Sequence, residues 1–283
     1  MELLALKTFQ AVVEEGGVLA ASRRLNTVQS NVTGRIRKLE EELGTELFIR
    51  KGRGLELAPS GRVLLDYTRR MLMLERQTAS AVRLAGENAG ELRIGAMETF
   101  AALHLPAALK VMRTTHPGLE LRVYTDTSLT LADKVLHHKL DCAFVAGPVA
   151  HPALSFAQTA VEELVQVHAA DADPALLPLI LFREGCAYRT RALAWQRTQG
   201  FTAGEAMEFG TLEGILGCVA VGLGWTLMPR RSVEQSLHLP DLVIETLPPE
   251  IAQVPTGMIV HRDAPVLPAL ETLRTALIGQ FVR

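Results

Sequence analysis

VQSNVTGRIRKLEEELGTELFIR, residues 28–50, carries two patterns on one stretch of chain. Val28, Val32, Ile36, Leu39 and Leu43 recur at helical spacing, so one face asks for a core. The opposite face holds Ser30, Thr33, Gly34 and Arg37, with Gln29 at its leading edge. These are small, hydrogen-bonding and cationic groups, unlike the Glu/Lys mix of an ordinary solvated helix.

The flanking sequence says what that face meets. Upstream, Leu3, Leu6, Phe9, Val12 and Val13 mark a helix ended by Gly16-Gly17. A short second helix follows with Leu19, Ala20, Ala21 and Leu25, its alanines small enough for a close crossing. Thr27 is the expected N-cap of the quoted helix, which runs to Gly44. Two short helices around a tight turn form a helix-turn-helix. Downstream, Leu47-Phe48-Ile49 and Leu55-Glu56-Leu57 read as strands joined by a tip, Lys51-Gly52-Arg53-Gly54. Arg50, Lys51 and Arg53 on such a wing reach a phosphate backbone or a minor groove. An amide such as Gln29 can read adenine, Arg37 guanine, and short hydroxyls bond bases or phosphates. The expected partner is double-stranded DNA, with the helix in its major groove. A plain surface helix is the competing reading, and Glu40-Glu41-Glu42 favour it, although they lie beyond the part that would enter a groove.

Composition agrees. The net charge of −2 conceals a balance of +3 over residues 1–88 and −5 over the remainder. Within residues 16–62, nine basic groups face five glutamates, which suggests an anionic partner for this module alone. At 283 residues the length suggests about two domains. No apolar run is long enough for a membrane span, and no secretory leader is read at the N-terminus. Three widely spaced cysteines argue against a disulfide framework and for a reducing, cytoplasmic setting.

Pro59 opens a long helix with Leu64, Tyr67, Met71, Leu74, Thr78, Ala81 or Val82, and Ala85 on one stripe, ending at Gly86–Gly90. A rod of roughly 40 Å cannot bury that stripe on a small module, so a partner helix from a second copy is expected. From Leu92 strands and helices alternate: strands at ELRIGA, LELRVYT, DCAFVAG, PLILF, MEF, WTLMP, LVIETL and TGMIVH; helices over Ala101–Thr115, Leu129–His138, Cys186–Gln199, Thr211–Val221 and Ala264–Phe281. This predicts an α/β body with mostly parallel sheets, in two lobes, with a ligand crevice at the carboxyl ends of the strands. No nucleophile elbow, phosphate-binding glycine loop or zinc-binding His pair is found, so neither a catalytic residue nor a metal ligand is nominated.

The first ninety residues resemble a LysR-type transcriptional regulator. The resemblance rests on Phe9, Val12-Val13, Ala20-Ala21, Leu25, Gln29, Leu39 through Gly44, Leu47 through Arg50, Pro59 and Gly61. It continues through Leu105-Pro106, His116-Pro117, Leu140-Asp141 and Gly222-Leu223-Gly224 with Pro229, and so covers essentially the whole chain. It implies a winged helix-turn-helix over 1–58, a dimerising linker helix over 59–88, and a two-lobed effector domain over 89–283 resembling periplasmic binding proteins. Lobe I is expected at about 89–161 and 265–283, lobe II at about 162–264. Homodimers through the linker helix, tetramers and RNA polymerase are the implied protein partners, with a small-molecule effector and no cofactor. Two positions depart from the family. Ala58 stands where many members have Thr, losing a potential cap of roughly 1 kcal/mol. Gly34 stands where a side chain is usual, at about 1 kcal/mol of helix stability.

The resemblance places effector contacts at Glu98, Thr99 and Phe100, at Thr127 and Ser128, and at the starts of two later helices, Cys186, Tyr188, Arg189 and Thr211. Each hydroxyl is equally readable as a plain N-cap, and Cys186 as a packing residue whose thiol Glu184 would raise. The expected function is a DNA-binding regulator whose geometry answers to a small molecule. An effector-independent repressor is the alternative; a solute-binding protein does not account for the winged head, nor an enzyme for the missing motifs.

Overall fold

The computed structural model describes residues 1–51, 54–85, 90–201, 204–264 and 267–281, with backbone alone at 50–51, 80–81, 83–85 and 280–281. The chain divides into two compact units, Met1–Val82 and Arg83–Arg283.

In the first unit α1 (Leu3–Glu14), α2 (Val18–Arg24) and α3 (Gln29–Leu43) precede an antiparallel hairpin, β1 (Phe48–Lys51) and β2 (Gly54–Leu57), and the helix α4 (Pro59–Ala85). Leu6, Phe9, Val12, Ala21, Val32, Ile36, Leu39, Leu47 and Leu64 form one core. Phe9 lies against Phe48 with ring centres 5.4 Å apart, which seats the hairpin on the helices. Gly44 closes α3 at φ +66, a left-handed conformation that glycine adopts without strain. Gly61 admits no side chain, because a Cβ would stand 2.2 Å from the Leu47 carbonyl oxygen.

Three expectations for this unit are corrected. Val28, not Thr27, occupies the N-cap position of α3, with no side-chain cap bond; the Thr27 hydroxyl instead accepts from the Asn31 amide at 3.1 Å. Val28 and Leu43 are exposed, as is Leu3, because the core contacts only the middle turns of these helices. Leu64 turns into the core, leaving Tyr67, Met71, Leu74 and Val82 as the exposed apolar stripe of α4 in the single chain.

The second unit begins with β3 (Glu91–Ala96), α5 (Glu98–Leu103), α6 (Leu105–Thr115), β4 (Glu120–Thr125), α7 (Ser128–Leu136) and β5 (Cys142–Ala146). It continues with β6 (Leu154–Ala169), β7 (Ile180–Phe182), α8 (Ala187–Thr198), β8 (Met207–Phe209), α9 (Leu212–Ala220), β9 (Thr226–Pro229), α10 (Arg230–Glu234), β10 (Leu242–Thr246), α11 (Pro249–Ala252), β11 (Gln253–His261) and α12 (Pro268–Phe281). The helix expected over Ala101–Thr115 is therefore two, broken at His104, with Pro106 in the first turn of α6.

The sheets are mixed, not mostly parallel. β3 pairs parallel with β4 and β5, and β7 with β8, but every pairing of β6 and β11 is antiparallel. The 16-residue β6 was not anticipated. Its first half pairs with β11 beside β5, and its second half with β10 and β9, so one strand runs through both lobes. β11 thus belongs to the lobe I sheet, whereas the sequence boundary at 264 put it in lobe II. Sequence alternation fails along β6 because its second half is covered on both faces. The β6–β11 register slips at Thr256/Gly257, where a Cβ on Gly257 would meet the Ala157 carbonyl oxygen at 2.5 Å.

Candidate functional site

Two surfaces carry polar groups that the fold alone does not explain. The first is the outer face of α3. Gln29, Ser30, Gly34 and Arg37 are exposed and Thr33 is half-buried, while Val32, Ile36 and Leu39 face the core. A Cβ at Gly34 would meet nothing within 4 Å, so packing does not require glycine there. Much of the basic excess is engaged within the head. Arg24 bonds Glu14 at 2.7 Å and Glu15 at 3.1 Å, Lys38 lies 3.3 Å from Glu2, and Arg62 donates to the Leu57 carbonyl at 3.0 Å. Gln29 and Arg37 have no hydrogen bond or ion pair among the described residues. The acidic run is partly structural: Glu40 accepts the Leu47 backbone N–H at 2.8 Å, fixing where the hairpin leaves α3. Arg50 and Lys51 lie on β1, their side chains outside the described residues, as is all of Arg53.

The second is a cleft in the later unit, about 490 Å³ including its open mouth. Its walls come from the start of α5 (Met97, Glu98, Thr99), the β4–α7 junction (Thr125 to Ser128), the β7–α8 junction (Phe182, Arg183, Cys186, Tyr188) and Gly210 before α9. These are strand ends followed by helix starts, where backbone N–H groups point outward. Thr127 caps α7 by accepting from Thr130 N, and Thr211 caps α9 by accepting from Gly214 N.

Lobe I holds lobe II across this cleft with two carboxylates. Glu98 Oε1 accepts the Leu212 N–H at 2.9 Å. Asp126 accepts from Arg183 Nη2 at 2.9 Å and from Lys134 Nζ at 2.8 Å. The close approach is visible at Gly185, where a Cβ would stand 2.6 Å from Thr127 Oγ1. Burial pushes the Glu98 pKa up, the Leu212 N–H only partly offsets it, and the Glu213 charge raises it further. Burial would raise Asp126 too, but hydrogen bonds from Lys134 and the Thr127 N–H and the nearby cations bring it below the usual range. Behind the cleft, Tyr188 donates a short hydrogen bond to Glu162 of β6, and His104 Nε2 lies 3.6 Å from the same carboxylate.

The comparisons decide the family. Residues 3–62 match the bacterial regulatory helix-turn-helix protein, lysR family, and residues 85–281 match the LysR substrate binding domain. The chain belongs to the LysR family of transcriptional regulators. It is 40% identical over 276 residues to the uncharacterized HTH-type transcriptional regulator YusT of Bacillus subtilis, covering 96% of this chain and 94% of that one. It is 37% identical over 275 residues to YofA of the same species, covering 96% of each. Full-length CbnR, solved in complex with its target DNA, shares the fold with a TM-score of 0.67 at 22% identity, covering 100% of both chains.

As a LysR-type regulator, the chain combines a DNA-binding head with an effector-binding domain. Of the residues expected at the effector, the structure gathers Glu98, Thr99, Thr127, Ser128, Cys186 and Tyr188 around the cleft. Three fall elsewhere. Phe100 is fully buried, stacked on Phe144 with ring centres 4.9 Å apart, since the third residue of α5 points into the core. Arg189 turns away to the Phe182 carbonyl and to Glu208, at 3.1 and 2.7 Å. Thr211 is occupied as a cap, and its neighbour Gly210 lines the cleft instead. Burial raises the Cys186 thiol, against backbone N–H groups of Arg189 and Tyr188; Glu184 is not among the causes. All three cysteines are free. Thr125 and Asp126 were not anticipated; Asp126 was accessible from its place just after a predicted strand and before Thr127-Ser128. Among the described residues no group of three or more His, Cys, Asp or Glu is placed to hold a metal ion, and no helix is long and apolar enough to cross a membrane.

Proposed function

We propose that this LysR-type regulator reads DNA with the outer face of α3 and is controlled by a small molecule between the two lobes. Gln29, Ser30, Thr33 and Arg37 contact bases and phosphates in the major groove, with the backbone at Gly34 close to the duplex, while Arg50, Lys51 and Arg53 of the wing contact phosphate. The observation supporting this is that Gln29 and Arg37 stand exposed without partners among the described residues, beside a glycine whose Cβ would meet nothing within 4 Å. The protein acts in the cytoplasm, as a homodimer through the exposed stripe of α4 and as a tetramer of such dimers, and is not an enzyme. RNA polymerase is its further partner at the promoter.

The effector works by competing for, or adding to, the bridges between lobes. A ligand shifts such an equilibrium only by its differential affinity for the two arrangements. A change in lobe closure alters the angle between paired effector domains and so re-spaces the heads. A second reading, an effector-independent repressor, has its own support: Glu98 and Asp126 are already engaged across the cleft by the protein's own groups.

The test is selection from sheared bacterial genomic DNA with purified protein at two salt concentrations, read by sequencing. An interrupted palindrome with half-sites on one face of the duplex is expected. Recovery of no motif, with binding that vanishes in salt, would reduce the head to a non-specific DNA binder. Thermal stabilisation by a compound from a metabolite screen separates the effector-controlled reading from the second one.

A further inference from the structure

Resting on the reading of the cleft as an effector site, we propose that its ligand carries a protonated amine, held by the Glu98 carboxylate. Most of the charge in the cleft is already paired. Three acidic or strongly basic residues line it: Glu98, Asp126 and Arg183. Asp126 is saturated by Lys134, Arg183 and the Thr127 N–H, at 2.8, 2.9 and 2.9 Å. Arg183 gives Nη2 to Asp126, so its charge is already offset, although the rest of the side chain stays exposed.

Glu98 differs. Its Oε1 takes the Leu212 N–H, but its Oε2 is enclosed and has no hydrogen-bond partner among the described residues. No cation forms an ion pair with it there; the charged neighbour that acts on it is Glu213, of its own sign. A carboxylate so placed is costly until a donor reaches it. An ammonium supplies that donor together with the missing charge, in a charge-assisted hydrogen bond. The rest of the lining suits the remainder of such a ligand: Met97, Phe182 and Tyr188 offer a thioether and two rings, on which an organic cation also rests favourably.

A carboxylate ligand meets a less favourable site. Arg183 can offer it the N–H groups that Asp126 leaves unused, but the arginine's charge is already offset there, and the ligand would lie beside an uncompensated Glu98. Arg189, the other arginine near the start of α8, is held at the Phe182 carbonyl and Glu208.

The experiment is calorimetric titration and thermal unfolding of the full-length protein with matched probes: benzylamine and 1,4-diaminobutane against benzoate and succinate, with benzyl alcohol as the neutral control. Amines are expected to bind and stabilise, and the carboxylates not. Glu98→Gln, which keeps an acceptor for Leu212, should weaken the amines by about tenfold or more. Below the raised pKa of Glu98, amine binding should also release a proton, seen as a dependence of the heat on the buffer's ionisation enthalpy. Binding of the carboxylates but not the amines overturns the proposal and leaves the effector reading standing. Equal amine affinity in wild type and Glu98→Gln overturns it as well. Binding of no probe overturns it too, and if a broad metabolite set also fails, the effector reading falls with it.

Discussion

The outer face of α3 and the cleft between the lobes are both polar surfaces, yet they are built in opposite ways. On α3, Gln29 and Arg37 have no partner among the described residues and Gly34 opens onto free space. In the cleft the charged groups are largely engaged within the protein, Asp126 with Lys134 and Arg183, Glu98 Oε1 with Leu212 and Tyr188 with Glu162. Glu98 Oε2 and Thr99 Oγ1 are the enclosed oxygens left there without a hydrogen-bond partner among the described residues. A face that reads a long, regular polymer gains from side chains left free and displayed in helical order. A pocket that must hold two lobes together gains from groups that satisfy one another until a competitor arrives.

The contrast can be broken most forcefully from beneath the free face. Leu39 is 1% exposed, and Leu39→Ala is expected to destabilise the head by about 2–5 kcal/mol, with DNA binding lost as the head unfolds. Chemical denaturation alongside a binding titration would check this; an unchanged midpoint would mean that the inner face of α3 is not a core. Gln29→Ala, on the outer face, is expected to leave stability unchanged and to relax base preference at one position per half-site by about 1–3 kcal/mol. Sites reselected with the variant report that directly.

Smaller effects sharpen the account. Arg53→Ala should weaken binding to all sequences alike and lower the salt slope by about one. In the cleft, the bridge through Asp126 should depend on pH. Its folded-state pKa lies below the unfolded value of about 3.9, so its contribution is whole above that value and is lost as pH falls through the folded one. Asp126→Asn should flatten the acid limb of the effector domain's stability curve, measured by thermal unfolding across the acid range; an unaltered limb would show that the bridge contributes nothing measurable.

The same contrast explains what the sequence made legible. The head is local: Val32, Ile36 and Leu39 alternate with Gln29, Thr33 and Arg37 on one helix, so inner and outer faces can be read from spacing alone. Its errors lie at the ends, Val28 and Leu43, where periodicity does not say how far the core extends. The cleft is assembled from four distant junctions, and helix starts such as Glu98, Thr127 and Cys186 were recognisable while their orientation was not. Phe100 is one step from Thr99 along α5 and faces the core; Arg189 is one step from Tyr188 and leaves the cleft for Glu208. β6 escaped notice because it serves two lobes, carries Glu162 and Glu163 at its middle, and is covered on both faces beyond them. Antiparallel pairing of β11 between β5 and β6 was invisible for a related reason: partners are set by tertiary contact, not by the alternation of strands and helices.

The most direct test of the central claim is Gly34→Ala, read by urea denaturation and by affinity for the selected DNA site. A Cβ there meets nothing within 4 Å, so the substitution should stabilise the helix by about 1 kcal/mol while weakening DNA binding through the close backbone approach it obstructs. Stability gained with affinity unchanged would contradict the placement of this face against the duplex.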